Sequence, residues 1–279
     1  MIQYGLRLHD SENLPLEERL VRVREQGFSC VHLALSKIPG QTSAPEALTP
    51  GYAMYLKRAF ASAGLDIAVL GNYLNLATPD EEALKKNQEK YTAHLRLASV
   101  LGVGVVGTET GNPNTGYKYD PEKSHTDEAL ETFIRNLIPV VKDAERFGVI
   151  LAIEPVWRHI VYCPKRARQV LDAVGSPNLQ IIFDPVNLLD ESNVDRRDEV
   201  FDEAIELLGK DIAVIHLKDY KKETGVTKCM APGLGDMDYS RILKFAKEKK
   251  PYIQATLENT KPDNAAQARE FLRQLEESL

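Results

Sequence analysis

Along the 279 residues, short apolar, β-branched runs alternate with longer segments whose apolar positions recur every three or four residues. The runs cover 3–8, 30–35, 66–70, 103–106, 149–153, 180–183, 212–215 and 253–257. Near-continuous apolar strands are what a parallel sheet covered on both faces requires. The segments between them read as amphipathic helices. Over 81–101, Leu84, Tyr91, Leu95, Ala98 and Leu101 share one helical face; over 126–147, Leu130, Phe133, Ile134, Leu137, Val141 and Ala144 do so. Pro139 predicts a kink in the second helix, because proline lacks the N–H for the helical ladder. Thr49-Pro50 predicts a capped helix start. Gly27, Gly64, Gly148 and Gly209 follow helical segments, where a left-handed residue ends a helix well. Eight strand–helix units predict one α/β domain over 1–279, a closed (β/α)₈ barrel. The rival, a doubly wound open sheet, would show G-x-G-x-x-G after its first strand, and none is there.

A barrel keeps its chemistry where strands run out into loops, on the C-terminal face. Those ends carry ionisable residues: Glu109 in VVGTETG, Glu154 in LAIEP, Asp184 in IIFDP, His216 in AVIHLKD and Glu258 in ATLEN. Taken singly, each reads at least as well as a helix cap or a satisfied core group. Taken jointly, four consecutive strands bring three carboxylates and one imidazole to one end. Crowded like charges raise one another's pKa, and a divalent cation relieves that repulsion. Three oxygens and an imidazole suit Mn²⁺, Mg²⁺, Co²⁺ or Zn²⁺ without choosing among them.

Composition narrows the function classes. Net charge is -6, which argues against a nucleic-acid face, since phosphate binding needs clustered Lys and Arg. Cys30, Cys163 and Cys229 lie far apart, without a C-x-x-C pair, so a reducing cytoplasm is the expected setting. The first residues lack a basic and apolar leader, and no apolar stretch of about 18 residues predicts a membrane span.

At these residues the chain resembles the sugar phosphate isomerase/epimerase superfamily, the xylose-isomerase-like barrels. The resemblance runs over essentially the whole chain. It rests on IEP at Glu154, FDPVN at Asp184, HLKD at His216, PGLGDMDY at Pro232–Tyr239 and LEN at Glu258. It implies that Glu154, Asp184, His216 and Glu258 hold one metal, and that Glu154 and Glu258 are also the acid/base pair. Ketose 3-epimerases of the family carry histidine where this chain has Asn187 and arginine where it has Lys222. The family's endonuclease branch needs further histidines that are missing here.

The expected reaction is isomerisation or epimerisation of a sugar, sugar phosphate or cyclitol by proton transfer through an enediolate. A lyase or dehydratase on a keto sugar or inosose is the alternative. Substrate contacts are expected from His9, Asn72, Glu109, Trp157, His159, Asn187, Lys218 and Lys222. Asp219 is expected to orient Lys218 or His216. His94 and His125 are expected at the surface, Tyr117 and Tyr119 in a lid, and Gly233 and Gly235 as makers of loop geometry. A small-molecule sugar is the expected partner, with a homo-oligomer open.

Overall fold

The alternation closes on itself. In the computed structural model, which describes residues 1–223 and 226–279 and the side chains of all but 223–227, eight parallel strands form a closed barrel. They are β1 (Gln3–Arg7), β2 (Cys30–Leu33), β3 (Asp66–Gly71), β4 (Val105–Glu109), β5 (Ile150–Glu154), β6 (Leu179–Phe183), β7 (Ile212–Leu217) and β10 (Gln254–Leu257). Each pairs with its sequence neighbour, and β10 closes the ring by pairing Gln254 with Gln3 and Leu257 with Leu6. Among the described residues, eight α-helices lie between and after the strands: α1 (Leu16–Glu25), α2 (Pro50–Ala63), α3 (Glu81–Leu101), α4 (Asp127–Phe147), α5 (Pro164–Val174), α6 (Arg197–Leu208), α7 (Ser240–Lys249) and α8 (Ala265–Ser278). Among the described residues no helix is long and apolar enough to cross a membrane.

The local signals act as expected at most helix ends. The Thr49 side chain accepts from Tyr52 N, and Pro50 opens α2. Gly27, Gly64 and Gly148 take positive φ, whereas Gly209 does not. At Gly209 the chain stays right-handed and runs on into a 3₁₀ turn. Glycine packs closely there, since a Cβ would lie 3.1 Å from the Phe245 ring. Helix α4 continues through Pro139. His94 is buried in α3, with its Nδ1 2.8 Å from Lys90 O, because that face of the long helix packs inward. His125 is partly buried, with Nε2 2.8 Å from Trp157 O.

One element was not foreseen. After β7 the chain makes an antiparallel hairpin, β8 (Asp219–Glu223) with β9 (Val226–Met230). Its polar sequence DYKKE contains no apolar run and gives a weak alternation. The Asp219 carboxylate anchors the hairpin base. It accepts from Tyr220 N and Met237 N on Oδ1, and from Gly233 N and Gly235 N on Oδ2. These bonds lock the PGLG loop, so Asp219 orients backbone rather than Lys218 or His216. A Cβ at Gly235 would stand 2.2 Å from Tyr220 O, which explains that glycine.

Candidate metal centre

The barrel interior holds a layer of buried apolar residues below its C-terminal rim. Cys30, Val69, Ala152, Ile182 and Val214 form a buried cluster apart from the main core. Side chains of a strand alternate faces, so the residue two further on also points inward. That rule places Glu154 above Ala152, Asp184 above Ile182 and His216 above Val214. On β10 it places Glu258 above buried Thr256, which pairs with His216 in register. It also sets Arg7 above Gly5, His32 above Cys30 and Glu109 above Gly107. Gly71 is the exception: a Cβ there would stand 2.4 Å from His32 Nε2 and 2.8 Å from the Tyr73 ring. Glycine therefore leaves room for those two side chains.

The four expected ligands converge. All are buried, and His216 Nδ1 lies 3.3 Å from both Glu154 Oε1 and Glu258 Oε1. Two donors each about 2.1 Å from a shared ion, at angles between square and tetrahedral, would stand about 3.0–3.4 Å apart. Glu154, Asp184 and His216 offer ligand atoms within 4.8 Å of one another, and so do His32, His216 and Glu258. Lys218 Nζ sits at the edge of the cluster, 2.8 Å from Asp184 Oδ2, 3.5 Å from Glu258 Oε2 and 2.6 Å from Asn187 Oδ1. Asp184 Oδ2 is close to that ammonium yet out of hydrogen-bonding alignment, which leaves it open to another cation.

Charge bears on the same point. Three carboxylates against one ammonium leave two negative charges when His216 is neutral, as a ligand imidazole must be. One divalent ion balances them. The titration of the cluster reflects this excess. Burial alone would lower the His216 pKa, but Glu154, Glu258 and Asp184 outweigh it and push it up to about 9. Burial, aided by Glu154 and Glu258, raises Asp184 despite Lys218. Burial also works to raise Glu258, but Lys218, His216 and Arg7 hold it well below the usual carboxylate range. The residues present therefore fit a divalent metal by number, geometry and charge.

Around this centre lies a cavity of about 330 Å³. Of the residues expected to touch substrate, His9, Glu109, Asn187 and Lys218 line it. Asn187 bridges: its Nδ2 donates to Glu154 Oε1 at 2.7 Å while its Oδ1 accepts from Lys218. Glu109 accepts from Tyr117 Oη at 3.2 Å, and His159 Nε2 lies 3.9 Å from the same oxygen, behind the lining. Burial raises the Glu109 carboxyl and pushes His159 down to about 4. Tyr117 holds φ of +54°, an uncommon geometry for an aromatic residue, and meets His159 edge-on. Asn72 is buried beside the strand end, with its N donating to Gly107 O. Trp157 lies outside the cavity, under the Arg158 guanidinium and edge-on to Tyr119. Lys222 stands exposed on the hairpin, ion-paired with Asp195 at 2.6 Å and away from the lining.

The lining also contains Arg7, His32, Lys37, Tyr73, Cys229 and Asn259, which had not been singled out. His32 is fully buried, stacks on the His216 ring at 5.2 Å and shares a 3.0 Å hydrogen bond with Tyr73 Oη. Asn259 takes φ of +57° directly after Glu258, a conformation that asparagine tolerates better than most residues.

Comparison with known proteins agrees with this architecture. The structure of a D-tagatose 3-epimerase-like protein is similar over 99% of this chain and 98% of its own, with TM-score 0.76 and 20% identity. The 3-keto-D-glucoside 4-epimerase of E. coli matches over 98% of this chain and 100% of its own, with TM-score 0.75 and 16% identity. The IolI protein, solved with a zinc atom, matches over 98% and 96%, with TM-score 0.71 and 18% identity. No curated protein sequence matches the chain significantly. At these identities the solved structures speak for the fold. The family described as xylose isomerase-like TIM barrel matches residues 20–275, and the chain belongs to that family.

Proposed function

We propose that this chain is a cytoplasmic, divalent-metal-dependent isomerase or epimerase that moves a proton beside the carbonyl of a sugar. The observation that carries the reading is the convergence of Glu154 and Glu258 on one imidazole nitrogen at 3.3 Å, inside a cavity with room for a small molecule. At about 330 Å³ the cavity is near the small end of ligand sites, which run from roughly 300 to 1,000 Å³. The epimerase names of the similar structures support the same class.

Glu154, Asp184, His216 and Glu258 would hold the ion. When bound, it supplies Lewis-acid polarisation of the substrate carbonyl and neutralises charge developing on that oxygen. The protein's own groups divide the remaining work. One of Glu154 and Glu258 takes the proton from carbon, and the other returns one. Asn187 fixes the Glu154 carboxylate through Oε1, leaving Oε2 free of that bond. Arg7 Nη1 lies 3.4 Å from Glu258 Oε2 and steadies it from the other side. Lys218 donates to oxygens, and His32 packs against His216 to fix its ring plane. General acid–base catalysis of this kind contributes typically about 10²–10⁴-fold.

Turnover of D-fructose, D-tagatose and other ketoses by metal-loaded enzyme in D₂O tests the reading. Deuterium should enter at the carbon beside the carbonyl of recovered sugar. Release of a dehydrated product would instead identify a lyase. Conversion without label would rule out a solvent-exchanging carboxylate base.

A further inference from the structure

A phenol stands on the cavity wall opposite the ligands. In the closed ring β3 lies across from β7, the strand of His216. Tyr73 follows β3 and lines the cavity. Its backbone is pinned on both sides: Asn72 N donates to Gly107 O at 2.9 Å, and Leu74 N to Tyr91 Oη at 3.1 Å. Its Oη has one hydrogen-bond partner among the described residues, His32 Nε2 at 3.0 Å. Gly71 leaves the space in which those two side chains meet. Burial, and then the charges of Glu154, Glu258 and Glu109, hold the phenol well above its ordinary pKa, so it keeps its proton.

The His32 ring decides where that proton points. His32 is buried; its Nε2 meets Tyr73 and its Nδ1 meets no hydrogen-bond partner. With no carboxylate bonded to either nitrogen, the ring is neutral and carries a single N–H. A proton on Nδ1 would be a buried N–H without a partner, which is rarer than an unused acceptor. The proton therefore sits on Nε2 and is donated to Tyr73 Oη. The phenol accepts from His32, and its own proton is free to turn into the cavity. We infer that Tyr73 is a specificity-determining residue, donating a hydrogen bond to a substrate hydroxyl oxygen, and that His32 is the positioning residue that aims it. The carbonyl oxygen belongs to the ion on the far wall, so Tyr73 meets a hydroxyl instead. This inference rests on the sugar isomerase reading above and adds a recognition contact to its site.

Two measurements on enzyme loaded with diamagnetic Mg²⁺ or Zn²⁺ test it. Nitrogen-15 NMR of the histidine rings, assigned with His32→Gln, should show His32 protonated on Nε2 and bare on Nδ1. A proton on Nδ1 would turn the phenol toward His32 and overturn the inference. Wild type and Tyr73→Phe are then titrated by calorimetry with D-fructose, D-tagatose and the monodeoxy forms of whichever binds. Each mixture is also scored for deuterium uptake from D₂O. Tyr73→Phe keeps the ring and its stack on His32 and loses only the donor. It should bind the parent ketose about two- to tenfold more weakly, the scale of one hydrogen bond. One monodeoxy sugar should bind both proteins equally, and that sugar identifies the oxygen Tyr73 receives. A loss shared equally by every deoxy sugar, no loss at all, or binding of neither ketose overturns the inference. If label enters either ketose under those outcomes, the isomerase reading stands without it. If no sugar takes up label, that reading fails, whatever Tyr73 binds.

Discussion

On β5, β6, β7 and β10 the inward strand-end residues are carboxylates or imidazole drawn to one point, while the same positions on β1 to β4 hold Arg7, His32, Gly71 and Glu109. The first of these halves concentrates negative charge that a divalent cation would balance. The second half spreads hydrogen-bonding groups, neutral histidines and Lys37 over a wider rim. Both halves use the same scaffold, a strand whose interior residue is followed two places on by a functional one. On the proposed reading, chemistry falls to the half where four such residues share a centre, and recognition to the half where they do not.

That division is open to attack by mutation. Glu154→Gln and Glu258→Gln keep shape and one oxygen but cannot take a proton at neutral pH. Each should lower turnover on the order of 10²-fold or more at saturating metal, with the fold intact by circular dichroism. Near-normal turnover in either would reduce that residue to a ligand and end the two-carboxylate mechanism. Next in size, His216→Ala should weaken metal affinity on the order of a hundredfold, since ligand loss should cost at least as much as loss of an outer partner. Elemental analysis after dialysis would show it. Full retention of metal would place the ion elsewhere.

How far the sequence disclosed this division depends on local chemistry. The barrel and the convergence of four strand ends were legible, because Glu154, Asp184, His216 and Glu258 each interrupt an apolar run, and a charged residue there needs a partner. The recognition half was less so. His32 sits within CVHL and reads as a core residue, and Arg7 falls inside the apolar run 3–8. The two-residue step from Gly5 and Cys30 was the signal that could have found both. Lys37 lies on a turn with no periodicity, and only folding sets it beside the cavity. Lys222 looked equivalent to a family arginine by spacing, but the unforeseen hairpin carries it out to Asp195. Trp157 was placed correctly on the loop after β5, yet its ring packs under Arg158 outside the cavity.

Smaller effects sharpen the recognition half. Burial pushes His159 down to about 4, so the folded protein keeps it neutral where the unfolded chain, with a pKa near 6.5, protonates it. A folded pKa below the unfolded one gives stability that is present above about pH 6.5 and lost as pH falls toward 4. Across that window it should contribute about 1.4 kcal/mol of lost stability per pH unit. Urea unfolding of wild type and His159→Gln at pH 7 and pH 5 would check this. The variant should lose less on acidification, and equal losses would show that His159 is protonated in the fold. Smallest of all, Tyr117→Phe deletes one hydrogen bond to Glu109. It should raise KM about two- to tenfold, the scale of about 0.5–1.5 kcal/mol for such a bond, and leave kcat nearly unchanged. A fall confined to kcat would put Tyr117 in the chemistry instead.

The central claim is one divalent ion shared by the four strands of the ligand half, and anomalous diffraction from a manganese-loaded crystal tests it most directly. A single peak is expected about 2.0–2.3 Å from one donor atom each of Glu154, Asp184, His216 and Glu258. Lys218 Nζ should have drawn back from its 2.8 Å contact with Asp184 Oδ2 to make room. No peak among these residues, or an ion held elsewhere while Lys218 keeps that contact, would contradict it.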